Sequence, residues 1–175
     1  MKMRTTPFVI AAAVFFLDRI TKAMIKAHVS LWDEHVVIPR FFTIVHSENR
    51  GAAFSMFADS SAAFRTIFLI ALSLAVMAFI TMLLVRPVRG GSVSSPLLRA
   101  GLALILGGAA GNVWDRIVNG QVTDFLQFYF GSYQFAAFNV ADSAITIGAG
   151  LLLLDMWLAR QKHQEAPLHS GEPGL

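Results

Sequence analysis

The chain has 175 residues, 55% of them hydrophobic and only 14% charged, with a formal net charge of +3 and a mean hydropathy of +0.60. Soluble domains carry about a quarter of charged residues, so this composition excludes an ordinary water-soluble globule, and the scattered Lys and Arg form no stripe for nucleic acid. The absence of cysteine excludes disulfides, thiolate chemistry and cysteine-ligated metals.

The first apolar run, about 8–25, is long enough to cross a ~30 Å hydrocarbon layer as a helix. It carries Asp18, Arg19 and Lys22 in its second half. Charge inside the apolar stretch, and the lack of a small-x-small cleavage site before the polar segment, argue against a cleaved leader. Asp18 and Lys22 stand at i and i+4, where an ion pair lets both enter the membrane. A competing reading makes Lys22 a general base for Ser55 or Ser143.

The loop at about 28–60 contains two β-prone runs, 36–38 and 41–45, broken by Pro39-Arg40, which predicts a small sheet lying on the membrane. It continues into Asn49-Arg50-Gly51-Ala52-Ala53-Phe54, where the small residues permit close backbone approach to another chain or ligand. His35 and His46 lie near Glu34 and Glu48, without a recognised metal-ligand spacing. The second span, about 66–85, is free of charge and closed by Arg86-Pro87, which ends a helix sterically.

The third span, about 97–114, holds Gly107-Gly108-Ala109-Ala110-Gly111, a small-residue stripe for close helix packing. It delivers Asn112, Asp115 and Arg116 to its far end. The loop 117–133 combines Val122-Thr123-Asp124-Phe125 with Phe128, Tyr129, Phe130 and Tyr133, and reads as an aromatic loop resting in the membrane interface. The fourth span, about 135–159, carries Asn139 and Asp142 in its first two turns and Asp155 further on. Residues 161–175 read as a disordered cytoplasmic tail. The fold class expected is all-α: one membrane domain over 1–160, with four transmembrane helices and a small extracytoplasmic β-subdomain.

Seven Lys and Arg flank the spans on the side of the termini and five on the other, which places both termini in the cytoplasm. Whichever way the chain is oriented, Asp18 and Lys22, Asn112 to Arg116, and Asn139 with Asp142 fall at the same end of the bundle. Ionisable groups in a span are costly unless paired or hydrated, and such a gathering marks a functional region. Asp142, five to seven residues into its helix, is expected ~8 to 10 Å below the helix start.

Asp124 and Asp142 are the pair suited to catalysis. Two carboxylates brought close share one proton, so one acts as base toward water and the other as acid toward a peptide carbonyl. The alternative is a solvated loop acid beside a helix N-terminal acid favoured by the macrodipole. A proton-coupled relay through Asp142, Asp18 and Lys22 is a third reading, although the cytoplasmic halves of the spans are almost wholly apolar. A noncatalytic assembly protein is a fourth.

Read together, Asp18-Arg19-Ile20-Thr21-Lys22, Asn49-Arg50-Gly51-Ala52-Ala53-Phe54, Gly111-Asn112-Val113-Trp114-Asp115-Arg116, Val122-Thr123-Asp124-Phe125 and Phe138-Asn139-Val140-Ala141-Asp142-Ser143 occur in the order and spacing of one family. The chain resembles bacterial lipoprotein signal peptidase, or signal peptidase II, over most of residues 8–159. The resemblance implies an aspartyl endopeptidase of the inner membrane that removes the signal peptide from diacylglyceryl-modified prolipoproteins, just before the lipidated cysteine. It implies catalytic roles for Asp124 and Asp142. Asn49, Gly51, Asn112, Arg116 and Asn139 would line the site, with Asp18, Lys22 and Asp115 in support. It also implies a short helical loop on the periplasmic face, no cofactor or metal, contact with membrane lipids, and inhibition by globomycin-like cyclic peptides. A monomer is expected, since one chain holds the whole site.

Overall fold

A computed structural model describes residues 2–51, 61–85 and 95–164. Four helices, α1 (Lys2–His28), α2 (Ala62–Val85), α3 (Pro96–Asn119) and α4 (Val140–Gln164), carry a four-stranded antiparallel sheet in the order β1-β2-β3-β4. Its strands are β1 (Glu34–Ile38), β2 (Phe42–Asn49), β3 (Val122–Phe130) and β4 (Tyr133–Gln134). Three helices, α2, α3 and α4, are long and apolar enough to cross a membrane. α1 has the length, 27 residues, but carries Asp18, Arg19, Lys22 and Lys26.

α3 is the central helix, with half of its apolar window buried against 11% for α2. Its start is set by Ser95, which accepts from Leu97 N at 3.2 Å ahead of Pro96, and its end by Gly120 at φ 69°, the left-handed conformation open to glycine. Glycines let two neighbours approach its backbone. A Cβ at Gly107 would stand 2.5 Å from the Ala11 carbonyl of α1, and one at Gly108 would strike the Ala141 carbonyl of α4. Gly101 and Gly148 face each other the same way, and the small-residue stripe is therefore a packing surface. At the other end from the polar residues, Ala11, Ile80, Leu84, Leu102 and Leu106 form an apolar core.

The two β-prone runs form the β1–β2 hairpin, turning through Arg40 at φ 62°. The segment 117–133 differs from its expectation. α3 continues to Asn119, and the chain beyond it is not a free aromatic loop but β3, paired to β2, and then β4. Its aromatics stack across strands, Phe42 on Phe128 at 4.8 Å and Phe128 near Phe138 at 5.9 Å.

The fourth helix begins at Val140, not 135, because Phe138 bridges to Leu126 of β3 and holds the approach to α4 in extended form. Asp142 thus lies in the first turn, shallower than expected. α4 also runs to Gln164, four residues into the segment read as tail. Residues 52–60, 86–94 and 165–175 lie outside those described, and with them Ala52 to Phe54, Ser55, the Arg86-Pro87 stop and most of the tail. Among the described residues the sheet end of the molecule carries no short helix, so the expected helical loop is not found there.

Candidate active site

The polar residues of α1, α3 and α4 form a charged layer beneath the sheet. Asp18 and Lys22 share a face of α1 and pair at 2.9 Å, both side chains wholly buried. Lys22 Nζ also meets Asp115 Oδ2 of α3 at 2.9 Å and Asn112 Oδ1 at 3.0 Å. Arg19 forms an ion pair with Asp115 Oδ1. The ammonium is thus ringed by three oxygens. Ser143 Oγ donates instead to the Asn139 carbonyl at 2.9 Å, so the Ser143–Lys22 arrangement is not formed.

This layer also caps α4. The first N–H groups of a helix lack intrahelical partners, and Ala141 N donates to Asp18 Oδ1 at 3.1 Å. Asn139 occupies the N-cap. Its Oδ1 accepts from Asp142 N at 3.0 Å, while Asp142 Oδ2 accepts from Asn139 N at 3.2 Å, a reciprocal capping box. Asp142 is therefore fixed by the start of its own helix, with its carboxylate at the positive end of the macrodipole.

Above the charged layer, amides join the two candidate carboxylates. The Lys22 ammonium dictates which way the Asn112 amide points: its oxygen faces the cation, so its Nδ2 donates to Asp142 Oδ1 at 2.7 Å. Asn139 Nδ2 donates to Asp124 Oδ1 at 2.7 Å and lies 3.3 Å from both Asn112 Oδ1 and the Thr123 carbonyl. Asn49 Nδ2 donates to Asp124 Oδ2 at 3.1 Å, its own Oδ1 held by Gly51 N at 2.8 Å. Gly51 adopts φ 86°, which strains any side chain there, and a Cβ on it would stand 2.8 Å from Leu69 Cδ1. Arg116, half-buried, donates from Nη1 to the Asn112 carbonyl at 3.2 Å and lies within electrostatic reach of Asp142 and Asp124.

The reach of Asn49 depends on a bulge. Ile44 pairs with Leu126 but Ser47 with Asp124, so β2 carries one extra residue at Val45-His46. In a regular strand Asn49 would share a face with Val45 and turn away from Ile44 and Asp124; the bulge flips the alternation and brings it round.

Asp124 is 3% exposed. Burial first, then the Asp142 charge, pushes its carboxyl up to about 6, against the opposing Asn49 and Asn139 hydrogen bonds. Asp124 lines a cleft of about 710 Å³ with Trp32, Asn49, Arg50 and Gln121, and Asp142 lines a separate groove of about 390 Å³ with Phe135, Phe138, Thr146 and Ile147. The carboxylates thus face two openings from one hydrogen-bonded network.

All ten residues singled out from the sequence, Asp18, Lys22, Asn49, Gly51, Asn112, Asp115, Arg116, Asp124, Asn139 and Asp142, belong to this network or hold it directly. His46 does not; its Nδ1 bonds the Val29 carbonyl at 2.7 Å. Sequence reasoning gave Arg19 no part in the site, although its i, i+3 relation to Lys22 put it on the same face. It also missed Gln121, which bonds Arg50 and Glu48 at the cleft mouth and gives no local signal.

The family model described as Signal peptidase (SPase) II matches residues 10–158. The chain is 48% identical over 164 residues to the lipoprotein signal peptidase of Solibacter usitatus, covering 94% of this chain and 96% of that protein. It is 41% identical over 158 residues to that of Pseudomonas aeruginosa strain UCBPP-PA14, covering 90% of each. Two bacterial membrane enzymes solved by the in meso method share the fold. One, at 1.9 Å, has TM-score 0.75 and 28% identity over 86% of this chain and 92% of that one; the other, at 2.3 Å, has TM-score 0.78 and 26% identity over 93% and 94%. Family match, coverage and the three apolar helices agree: the chain is a multi-pass membrane hydrolase belonging to the signal peptidase II family.

Proposed function

We propose that this protein is an aspartyl endopeptidase that removes the signal peptide from diacylglyceryl-modified prolipoproteins, cutting before the lipidated cysteine with water activated by Asp124 and Asp142. The observation that carries the proposal is the charge balance of the network joining them. Arg19 and Lys22 offset Asp18 and Asp115. Arg116 offsets one further carboxylate, and a single proton shared by Asp124 and Asp142 closes the balance. A buried cluster strongly favours such neutrality.

The shared proton is assigned to Asp124, the more buried of the two, and the role of base to Asp142, whose carboxylate lies beside the α4 N-terminus and the Asn112 amide. Asp142 takes a proton from the attacking water, and Asp124 protonates the carbonyl oxygen of the scissile peptide. The pair then returns a proton to the departing amine as the C–N bond breaks. Asn49, Asn112 and Asn139 keep the carboxylates oriented, Arg116 lines the site, and Asp18, Lys22 and Asp115 hold the layer that supports them. No metal enters this scheme.

α1 forms the fourth span, its charged half satisfied inside the bundle, and the single domain of residues 1–160 has both termini in the cytoplasm. The sheet and the dyad then face the periplasm at the outer surface of the inner membrane. A lipid-anchored substrate presents its scissile bond at that depth, so the anchor itself supplies positioning. The site acts within one monomer, and globomycin-like cyclic peptides compete for it.

The test is cleavage of a diacylglyceryl-modified prolipoprotein by purified wild type beside Asp124→Asn and Asp142→Asn, in detergent without added metal. Loss of cleavage in both folded variants is expected. Near-full activity in either variant, or a metal requirement in the wild type, overturns the mechanism. Equal cleavage of unlipidated precursor overturns the role of the lipid.

A further inference from the structure

Trp32 stands out in the segment joining α1 to β1. It has φ 72°, a left-handed conformation that is a genuine outlier for a bulky aromatic residue, and its side chain is 69% exposed. Burial does not compensate the strain, yet the backbone is held firmly. Trp32 N donates to the His46 carbonyl at 2.9 Å, Asp33 N to the Ser30 carbonyl at 3.0 Å, and the His46 ring bonds the Val29 carbonyl. His46 is itself buried in the β2 bulge that turns Asn49 toward Asp124. One residue therefore ties the Trp32 turn to the dyad.

The result of that restraint is an indole on the wall of the 710 Å³ cleft, lined also by Asp124, Asn49 and Arg50. Strain retained at an exposed aromatic beside a candidate site calls for a functional explanation. The two openings differ in what they can accept. The groove at Asp142 runs along α4 past Thr146 and Ile147, into the apolar helix. The cleft is walled by the sheet and its connections, with Leu31, Trp32, Ala136 and Ala137 beside polar Ser47, Glu48 and Gln121. Of a prolipoprotein, the signal helix and acyl chains require the apolar side; the chain that comes after the lipidated cysteine must leave toward water.

We infer that Trp32 is a specificity residue that packs against the first residues of the mature lipoprotein, immediately after the lipidated cysteine, as they lie in the cleft beside Asp124. The inference rests on the proposed function and adds to it the part of the substrate that the cleft receives. Trp32→Ala raises KM about tenfold with kcat little changed, the size of one lost aromatic contact. Trp32→Gly shows the same rise in KM but a higher Tm, because glycine relieves the strained φ and little side-chain packing is lost.

The decisive experiment makes Trp32 the sole tryptophan by replacing Trp114 and Trp157 with Phe, in the Asp124→Asn background, and follows emission as lipidated precursor is added in detergent. A blue shift with full-length precursor, absent with precursor truncated at the lipidated cysteine, is expected. An equal shift with both substrates places Trp32 against the signal peptide or lipid and overturns the inference. No shift with either, while the wild type cleaves the full-length precursor, leaves Trp32 as an interfacial lipid anchor and overturns it too. Failure of the wild type to cleave removes the proposed function, and this inference with it.

Discussion

Replacing Asp124 by Asn separates the cost of its charge from its role in chemistry. Burial and the Asp142 charge raise its carboxyl from 3.8 to about 6, a difference equivalent to about 3 kcal/mol against ionisation. Because the folded state binds this proton more tightly than the unfolded chain, the penalty is absent below about pH 4, grows between the two values, and is complete above about 6. Asparagine carries no charge at any pH and escapes it. Asparagine also has one oxygen where Asp124 accepts on two, from Asn139 at 2.7 Å and Asn49 at 3.1 Å, so one amide loses its acceptor at about 1 kcal/mol. The variant should therefore gain about 2 kcal/mol above neutral pH and lose about 1 kcal/mol near pH 4. Thermal unfolding of both proteins in one detergent, from about pH 4 to 8, checks this: the stability curves cross, and at the upper end the inactive variant melts several degrees higher. An Asp124→Asn variant less stable than wild type at every pH would refute the reasoning.

The same network dictates three further outcomes. The free enzyme's kcat/KM should fall above an apparent pKa near 6 as the shared proton is lost; a profile flat from about pH 5 to 8 contradicts a singly protonated dyad. Lys22→Met strands Asp18 in the interior and leaves Asp115 to Arg19 alone, a loss of about 3–5 kcal/mol that adding Asp18→Asn should partly restore. Denaturation of the single and double variants measures it, and equal stabilities would show that Lys22 does not hold the layer. Gly111→Ala sets a Cβ 2.5 Å from Asp18 Oδ2 and should cost about 1–3 kcal/mol while disturbing the cap on Ala141; a variant with unchanged Tm and kcat refutes the tight packing.

Much of the site was legible because helices write their contacts locally. Asp18 and Lys22 are neighbours on any helix through those residues, and a run such as Gly107 to Gly111 presents backbone to whatever packs on it. Alternating the direction of successive spans was enough to bring Asp18, Asn112 and Asp142 to one end. The β1–β2 hairpin was readable in its middle, from the runs 36–38 and 41–45, since β-branched and aromatic runs about a proline turn have few other uses.

The sheet side was decided by the tertiary structure. Asp124 reads as a loop acid until β3 finds β2, because strand pairing joins residues distant in sequence and no local period announces it. Asn139 reads as the interior of a span until Phe138 bonds to Leu126, which ends the extended segment and turns Asn139 into the N-cap of α4. Asn49 faces Asp124 only through the extra residue at Val45-His46, an insertion visible solely once the partner strand is in place. Sequence alone determined which polar residues share an end of the bundle, because helical spacing and span direction are properties of the chain itself. Tertiary structure decided which of them touch and which oxygen each amide meets, because register, bulges and caps depend on partners that the local sequence does not name.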